Sequence, residues 1–209
     1  MPVDVRREVF AWANRVGFKG TEVSVEHLDL FAMSDAELTS LRNELTDAGL
    51  VTAALNPGGF NFVTATAAEQ LAQMRRAVEM AELLGTRVVN TTLPGPNLFQ
   101  NLPDTPEGWG IGGRVSIGGS RMVVDYELEK TADALREVAD AAAVVDITIA
   151  IELHQNCYVD NSASALAMLE MVGRENLRVN PDMGNVTWSY ATPEERFEEA
   201  MVTLAPLAA

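Results

Sequence analysis

Apolar positions along the chain alternate between two spacings, and the alternation is regular. Residues Asp4–Val16 carry apolar side chains at helical intervals and stop at Gly17. Ser34-Asp35-Ala36-Glu37 reads as a capping box opening a helix that Gly49 ends. Thr66-Ala67-Ala68-Glu69 opens another that runs to Gly85, and further helices are expected over 126–145 and 162–172, the second closing at Gly173. Thr192-Pro193-Glu194-Glu195 supplies an N-cap, a proline at the first helical position and an acidic third position, which predicts one more helix start.

Between the helices lie short runs with strand character: Gly20–Ser24, Val51–Leu55, Arg87–Thr91, Thr148–His154 and Leu177–Asp182. Each follows a helix stop by a few residues, and the early glycine stops recur at intervals of roughly 35 residues, the size of a βα unit. Strand alternating with helix predicts an α/β protein, with a parallel sheet covered by helices, as a single domain over 1–209.

Two architectures fit that alternation. A doubly wound sheet would place a glycine-rich phosphate loop after its first strand, and none is found there. The glycine-dense stretch is Gly108–Gly119, with no strand directly before it. A (β/α) barrel of the TIM type accounts better for the polar residues. In Thr148–His154 one face carries Thr148, Ala150, Glu152 and His154, and the other Ile149, Ile151 and Leu153. In Leu177–Asp182 the same parity turns Asn180 and Asp182 inward and Leu177 and Val179 towards the helices. Both carboxylates then lie at C-terminal strand ends, the catalytic face of such barrels. The barrel is expected to be incomplete: about five to six parallel strands, lacking the first strand and the last βα units. Open sheet edges would then need a cover, for which a second copy of the chain in a homo-oligomer is one candidate.

Composition narrows the partners. A net charge of −15 repels phosphate backbones, so nucleic acid is not expected. No run approaches the roughly 20 apolar residues of a membrane span. The charged N-terminus lacks the apolar core of a signal peptide, and the single cysteine, Cys157, fits a reducing compartment, so a cytoplasmic location is expected.

The segments Ile149–His154 and Asn176–Asn185 resemble the xylose isomerase-like barrels, which include sugar phosphate isomerases/epimerases, ketose 3-epimerases, inosose dehydratases and endonuclease IV. Val16–Val23 and Ala77–Asn90 match less specifically, and the resemblance runs over about residues 15–200. It implies that Glu152 and Asp182 are metal ligands, completed by a histidine and a second glutamate from the last units. Two hard carboxylates with one imidazole suit Mn²⁺, Mg²⁺ or Co²⁺, and such a set also accepts Zn²⁺. It further implies a small sugar or polyol substrate and proton transfer next to its carbonyl, with Glu152 both ligand and catalytic acid/base. Where many members have histidine this chain has Asn185, and Tyr158 stands where some ketose epimerases carry a second acid. The scarcity of histidines, His27 and His154 alone, argues against a trinuclear zinc nuclease site.

Candidate substrate contacts are His154, Asn156, Asn185 and Trp188. His154 is as readily a histidine satisfied by a neighbour, and Asp182 could simply cap the turn that follows it. Trp188, just past Asp182, could wall a sugar pocket, as aromatic side chains commonly do, while Trp109 is as readily loop packing. Glu22 could reach the site or form a structural ion pair. Asn56 and Asn90 sit at strand ends, where turn chemistry accounts for them. Cys157 lacks a base partner and is not expected to be a nucleophile.

Overall fold

The computed structural model describes residues 1–95, 119–155, 157–188 and 195–209, with Thr187 and Trp188 described by backbone alone. The expected Gly108–Gly119 loop (but for Gly119), Trp109, Asn156 and the Thr192–Glu194 helix start lie outside these residues.

Five parallel strands form one open sheet in strict chain order: β1 (Gly20–Ser24), β2 (Val51–Asn56), β3 (Val88–Thr91), β4 (Thr148–Glu152) and β5 (Leu177–Asn180). Each strand pairs with the next in sequence, as in a barrel wall and not a doubly wound sheet. Helix α1 (Val3–Arg15) precedes β1, and α2 (Asp35–Asp47), α3 (Ala67–Leu84), α4 (Asp125–Val144) and α5 (Ser162–Val172) fill the four connections. Two short helices follow, α6 (Met183–Trp188) and α7 (Phe197–Leu204). Beyond α7, Ala208 bridges to Val179 in parallel and the Ala209 amide donates to the Val179 carbonyl at 3.1 Å, so chain lies against the outer edge of β5. Among the described residues no strand pairs with the free edge of β1, and no helix is long and apolar enough to cross a membrane.

One apolar layer between sheet and helices sets this arrangement. Leu38, Leu41 and Leu45 of α2, Met74, Ala77, Ala81 and Leu84 of α3, and Leu135, Val138 and Ala142 of α4 are all buried at helical spacing. They meet Leu55, Val89, Ile149, Ile151, Leu177 and Val179 from the strands. Because strand side chains alternate, burying that aliphatic set on one side turns the intervening residues to the other.

Local signals decide the element ends, with two departures from expectation. Ser34 and Glu37 form the reciprocal capping box at α2, and Gly85 and Gly173 close α3 and α5 with positive φ, where a side chain would be strained. Thr66 stands at the start of α3 as expected, with its hydroxyl bonded to Gln70 and Thr64 and not to the helix backbone. Strands β4 and β5 are shorter than expected, ending at Glu152 and Asn180, so His154 and Asp182 lie past them. Asp182 leaves the strand because its carboxylate caps the following turn, the alternative weighed for it above, and that turn continues as α6, a helix not expected from the sequence.

A buried ion pair ties α1 to α2. Arg6 Nε and Nη2 donate to the two Glu44 oxygens at 2.8 and 2.9 Å, and both residues are under a tenth exposed. Removing one partner would leave an uncompensated buried charge. Glu44→Ala is therefore expected to lower stability by about 3–5 kcal/mol. The check is a drop in the denaturant midpoint at unchanged slope. Replacing Arg6 and Glu44 together by Met and Leu should restore most of the loss.

Candidate functional site

All five strands contribute a polar side chain to one hydrogen-bonded cluster on the inner side of the sheet, near the C-terminal strand ends. Asn56 Nδ2 of β2 donates to Glu22 Oε1 of β1 at 3.2 Å. Asn90 Nδ2 of β3 donates to Glu22 Oε2 at 3.0 Å and to Glu152 Oε2 of β4 at 2.9 Å. Asn180 Nδ2 of β5 donates to Asn90 Oδ1 at 3.1 Å and, more weakly, to Glu152 Oε2 at 3.4 Å.

Register explains how Glu22 joins. β1 and β2 pair in step through Thr21 and Thr52, then slip, so that Glu22 lies opposite Ala54 and Ser24 opposite Asn56. Without that bulge Glu22 would align with the parity of Ala53 and the core residue Leu55, facing away from Asn56.

Asp182 completes the arrangement from beyond β5. Its Oδ1 accepts from the Gly184 and Asn185 amides at 2.8 and 3.3 Å, which is the turn-capping role. Its Oδ2 accepts from Asn185 Nδ2 at 3.0 Å, and the same nitrogen lies 3.4 Å from Glu152 Oε1. Glu152 and Asp182 therefore approach one atom from two sides. Asn185 also donates to the Leu153 carbonyl and is almost wholly buried, so its side chain belongs to this site.

Half-buried Glu152 is met by amides, and no Lys or Arg pairs with it among the described residues. Burial pushes its carboxyl above the usual glutamate range, opposed by the Asn90 hydrogen bond; the charges of Asp182 and Glu22 add to the rise and His154 counters it.

Of the other expected contacts, His154 is half-buried beyond β4, its Nδ1 against the Gln155 carbonyl at 3.1 Å, and it interacts electrostatically with Glu152. Asn156 and the Trp188 side chain lie outside the described residues. Tyr158 is buried against Gly95, leaving no room for a side chain at position 95, and its hydroxyl is pushed up to about 12 by burial. Cys157 is buried and its thiol is pushed up likewise, which suits packing and not nucleophilic attack.

Sequence reasoning assigned Asn56 and Asn90 to turns, and Asn56 does accept from the Gly58 amide at 3.0 Å. Its amide nitrogen nevertheless serves Glu22. The usable signal was a polar residue next to a buried aliphatic one near the end of each strand: Glu22 by Val23, Asn56 by Leu55, Asn90 by Val89, Glu152 by Ile151 and Asn180 by Val179.

Glu152 and Asp182 offer hard oxygens of the kind Mg²⁺ and Mn²⁺ take, but no three His, Cys, Asp or Glu residues gather into a metal-holding group among the described residues.

Comparison with known proteins follows the same lines. Residues 10–206 match the family model described as xylose isomerase-like TIM barrel. Among solved structures, the chain is similar to a xylose isomerase-like TIM barrel protein from Mycobacterium smegmatis in complex with magnesium, with 19% identity and a TM-score of 0.75, covering 100% of this chain and 65% of that one. It is similar to a D-psicose 3-epimerase solved with D-fructose, at 20% identity and TM-score 0.72, over 97% of this chain and 65% of that one. The probable 3-DHS dehydratase AsbF of Bacillus anthracis matches at 17% identity and TM-score 0.72, over 96% and 64%. The chain thus spans 64 to 65% of the length of these three structures. Likeness at such identity shows the fold, and no curated protein matches by sequence. With a model match across nearly its whole length, the chain belongs to the xylose isomerase-like TIM barrel family.

Proposed function

We propose that this protein works as a metal-dependent sugar or polyol isomerase/epimerase, with Glu152 and Asp182 holding a divalent ion and Glu152 moving a proton next to a carbonyl. The observation that carries this reading is that Glu152 Oε1 and Asp182 Oδ2 converge on the single Asn185 nitrogen, at 3.4 and 3.0 Å. Two carboxylates that meet at one amide, with no Lys or Arg pairing with either among the described residues, suit a small hard cation.

Mg²⁺ or Mn²⁺ fits a two-carboxylate set because such ions keep several waters or substrate oxygens in their shell. Once bound, the ion would act as a Lewis acid that eases charge build-up on the substrate's carbonyl oxygen. The chain's own residues do the rest. Glu152, held beside the ion, is suited to take a carbon-bound proton from the substrate. His154 and Asn185 are suited to hydrogen-bond substrate hydroxyls beside it. Similarity to both epimerases and a dehydratase supports proton abstraction as the shared step. A second reading, a catalytically incomplete barrel with a binding role, draws on the lack of a three-residue acid, histidine or cysteine group among the described residues.

Thermal unfolding with and without Mn²⁺ separates the two. At a hundredfold excess over Kd the ion should stabilise the chain by about 2.7 kcal/mol, and Glu152→Gln should abolish the shift. A flat response in the parent favours the incomplete barrel. The shift should also fade as pH falls, because protons compete with the ion for Glu152. Since burial raises that carboxyl, the fading should begin above pH 4.5, the ordinary glutamate value. For catalysis, ketoses incubated with the Mn²⁺-loaded protein in D₂O should gain deuterium at the carbon beside the carbonyl, and Glu152→Gln should stop the exchange.

A further inference from the structure

Asn90 is only 4% exposed, and its side-chain amide bonds to Glu22, Glu152 and Asn180 of the cluster. Its amide has two hydrogens, and its nitrogen lies 3.0 Å from Glu22 Oε2 and 2.9 Å from Glu152 Oε2. Its oxygen accepts from Asn180 at 3.1 Å. Turning the amide over would set its oxygen against two carboxylates and its nitrogen against another amide nitrogen, so one orientation is enforced.

This fixes the two oxygens of Glu152 in different roles. Oε2 receives the short bond from Asn90 and a longer one from Asn180 at 3.4 Å. Among the described residues, Oε1 has only the 3.4 Å contact from Asn185, on the Asp182 side. One oxygen is anchored and the other is left for an ion or a proton.

Building on the metal-site reading above, we propose that Asn90 is a positioning residue. It clamps Glu152 Oε2 between Glu22 and Asn180, so that Oε1 is presented beside Asp182 to the divalent ion. Asn90 itself does not touch the ion. Groups that orient a ligand in this way commonly change metal affinity by about 10–100-fold when removed.

The test is Mn²⁺ affinity, followed by the electron paramagnetic resonance signal of free Mn²⁺, in parent, Asn90→Leu, Asn90→Ser and Asn176→Leu. Asn176 donates to the Ala139 and Ile147 carbonyls, away from the cluster, so its loss reports the cost of deleting a structural amide. Each variant's stability without metal is measured alongside, by denaturant. Asn90→Leu should raise Kd about tenfold or more, Asn90→Ser should raise it less because its hydroxyl can still serve one carboxylate, and Asn176→Leu should leave it as in the parent. If Asn90→Leu does not fold, Asn90→Ser against Asn176→Leu decides. Should the Asn90 variants lose stability yet bind Mn²⁺ like the parent, the positioning role is overturned and the metal site stands. Should the parent itself fail to bind Mn²⁺, the metal-site reading falls, and the positioning role with it.

Discussion

Glu152 is a half-buried carboxylate whose charge is answered by amide hydrogens, and the inner side of this sheet is organised around that fact. Taking a carboxylate out of water is costly unless hydrogen bonds or a cation replace the water. Here Asn90, Asn180 and Asn185 supply donors from three segments of the chain. Amide dipoles offset charge without neutralising it. The cluster therefore keeps a negative field, which the neighbouring Glu22 and Asp182 deepen. An arginine in the same place would have closed the site as a finished ion pair, as Arg6 does for Glu44 on the outer layer. The contrast between these two glutamates separates a joint between helices from a site still able to receive a cation.

The cluster could not exist without the apolar layer behind it. Ile149 and Ile151 are pinned beneath the helices, so Glu152, one residue on, must face inward. Leu177 and Val179 do the same for Asn180. At β1 the aliphatic pattern alone would not have sufficed, because Glu22 reaches Asn56 only after the register slips. Packing thus supplies the parity, and one bulge adjusts it.

Much of this was legible beforehand. Five strands, their parallel order, the Ser34 cap and the inward turn of Glu152 follow from periodicity and end signals, which act over a few residues. The errors share a physical cause. Asp182 was read as a strand residue by parity, whereas its Oδ1 draws the backbone of Gly184 and Asn185 into a helical turn. Asn56 and Asn90 were read as turn residues because an asparagine at a strand end serves a turn and a carboxylate equally well, and only the fold says which atom faces which partner. The amides were the unreadable part, since their meaning lies in contacts across dozens of residues.

Asp182 shows how one side chain can carry both readings at once. Its two oxygens divide the work: Oδ1 holds the start of α6, and Oδ2 looks back at Asn185 and Glu152. Glu152 divides in the same way, with Oε2 anchored and Oε1 less bound. In each residue the structural bonds restrain the side chain's freedom before any ligand arrives, and that is the condition for presenting the remaining oxygen at little further entropic cost. The capping role of Asp182 therefore does not compete with a functional one. Anchoring one oxygen in the backbone of α6 is what would make the other a well-placed donor, and the same division of labour at the end of β4 and just past β5 is a stronger sign of a built site than either carboxylate alone.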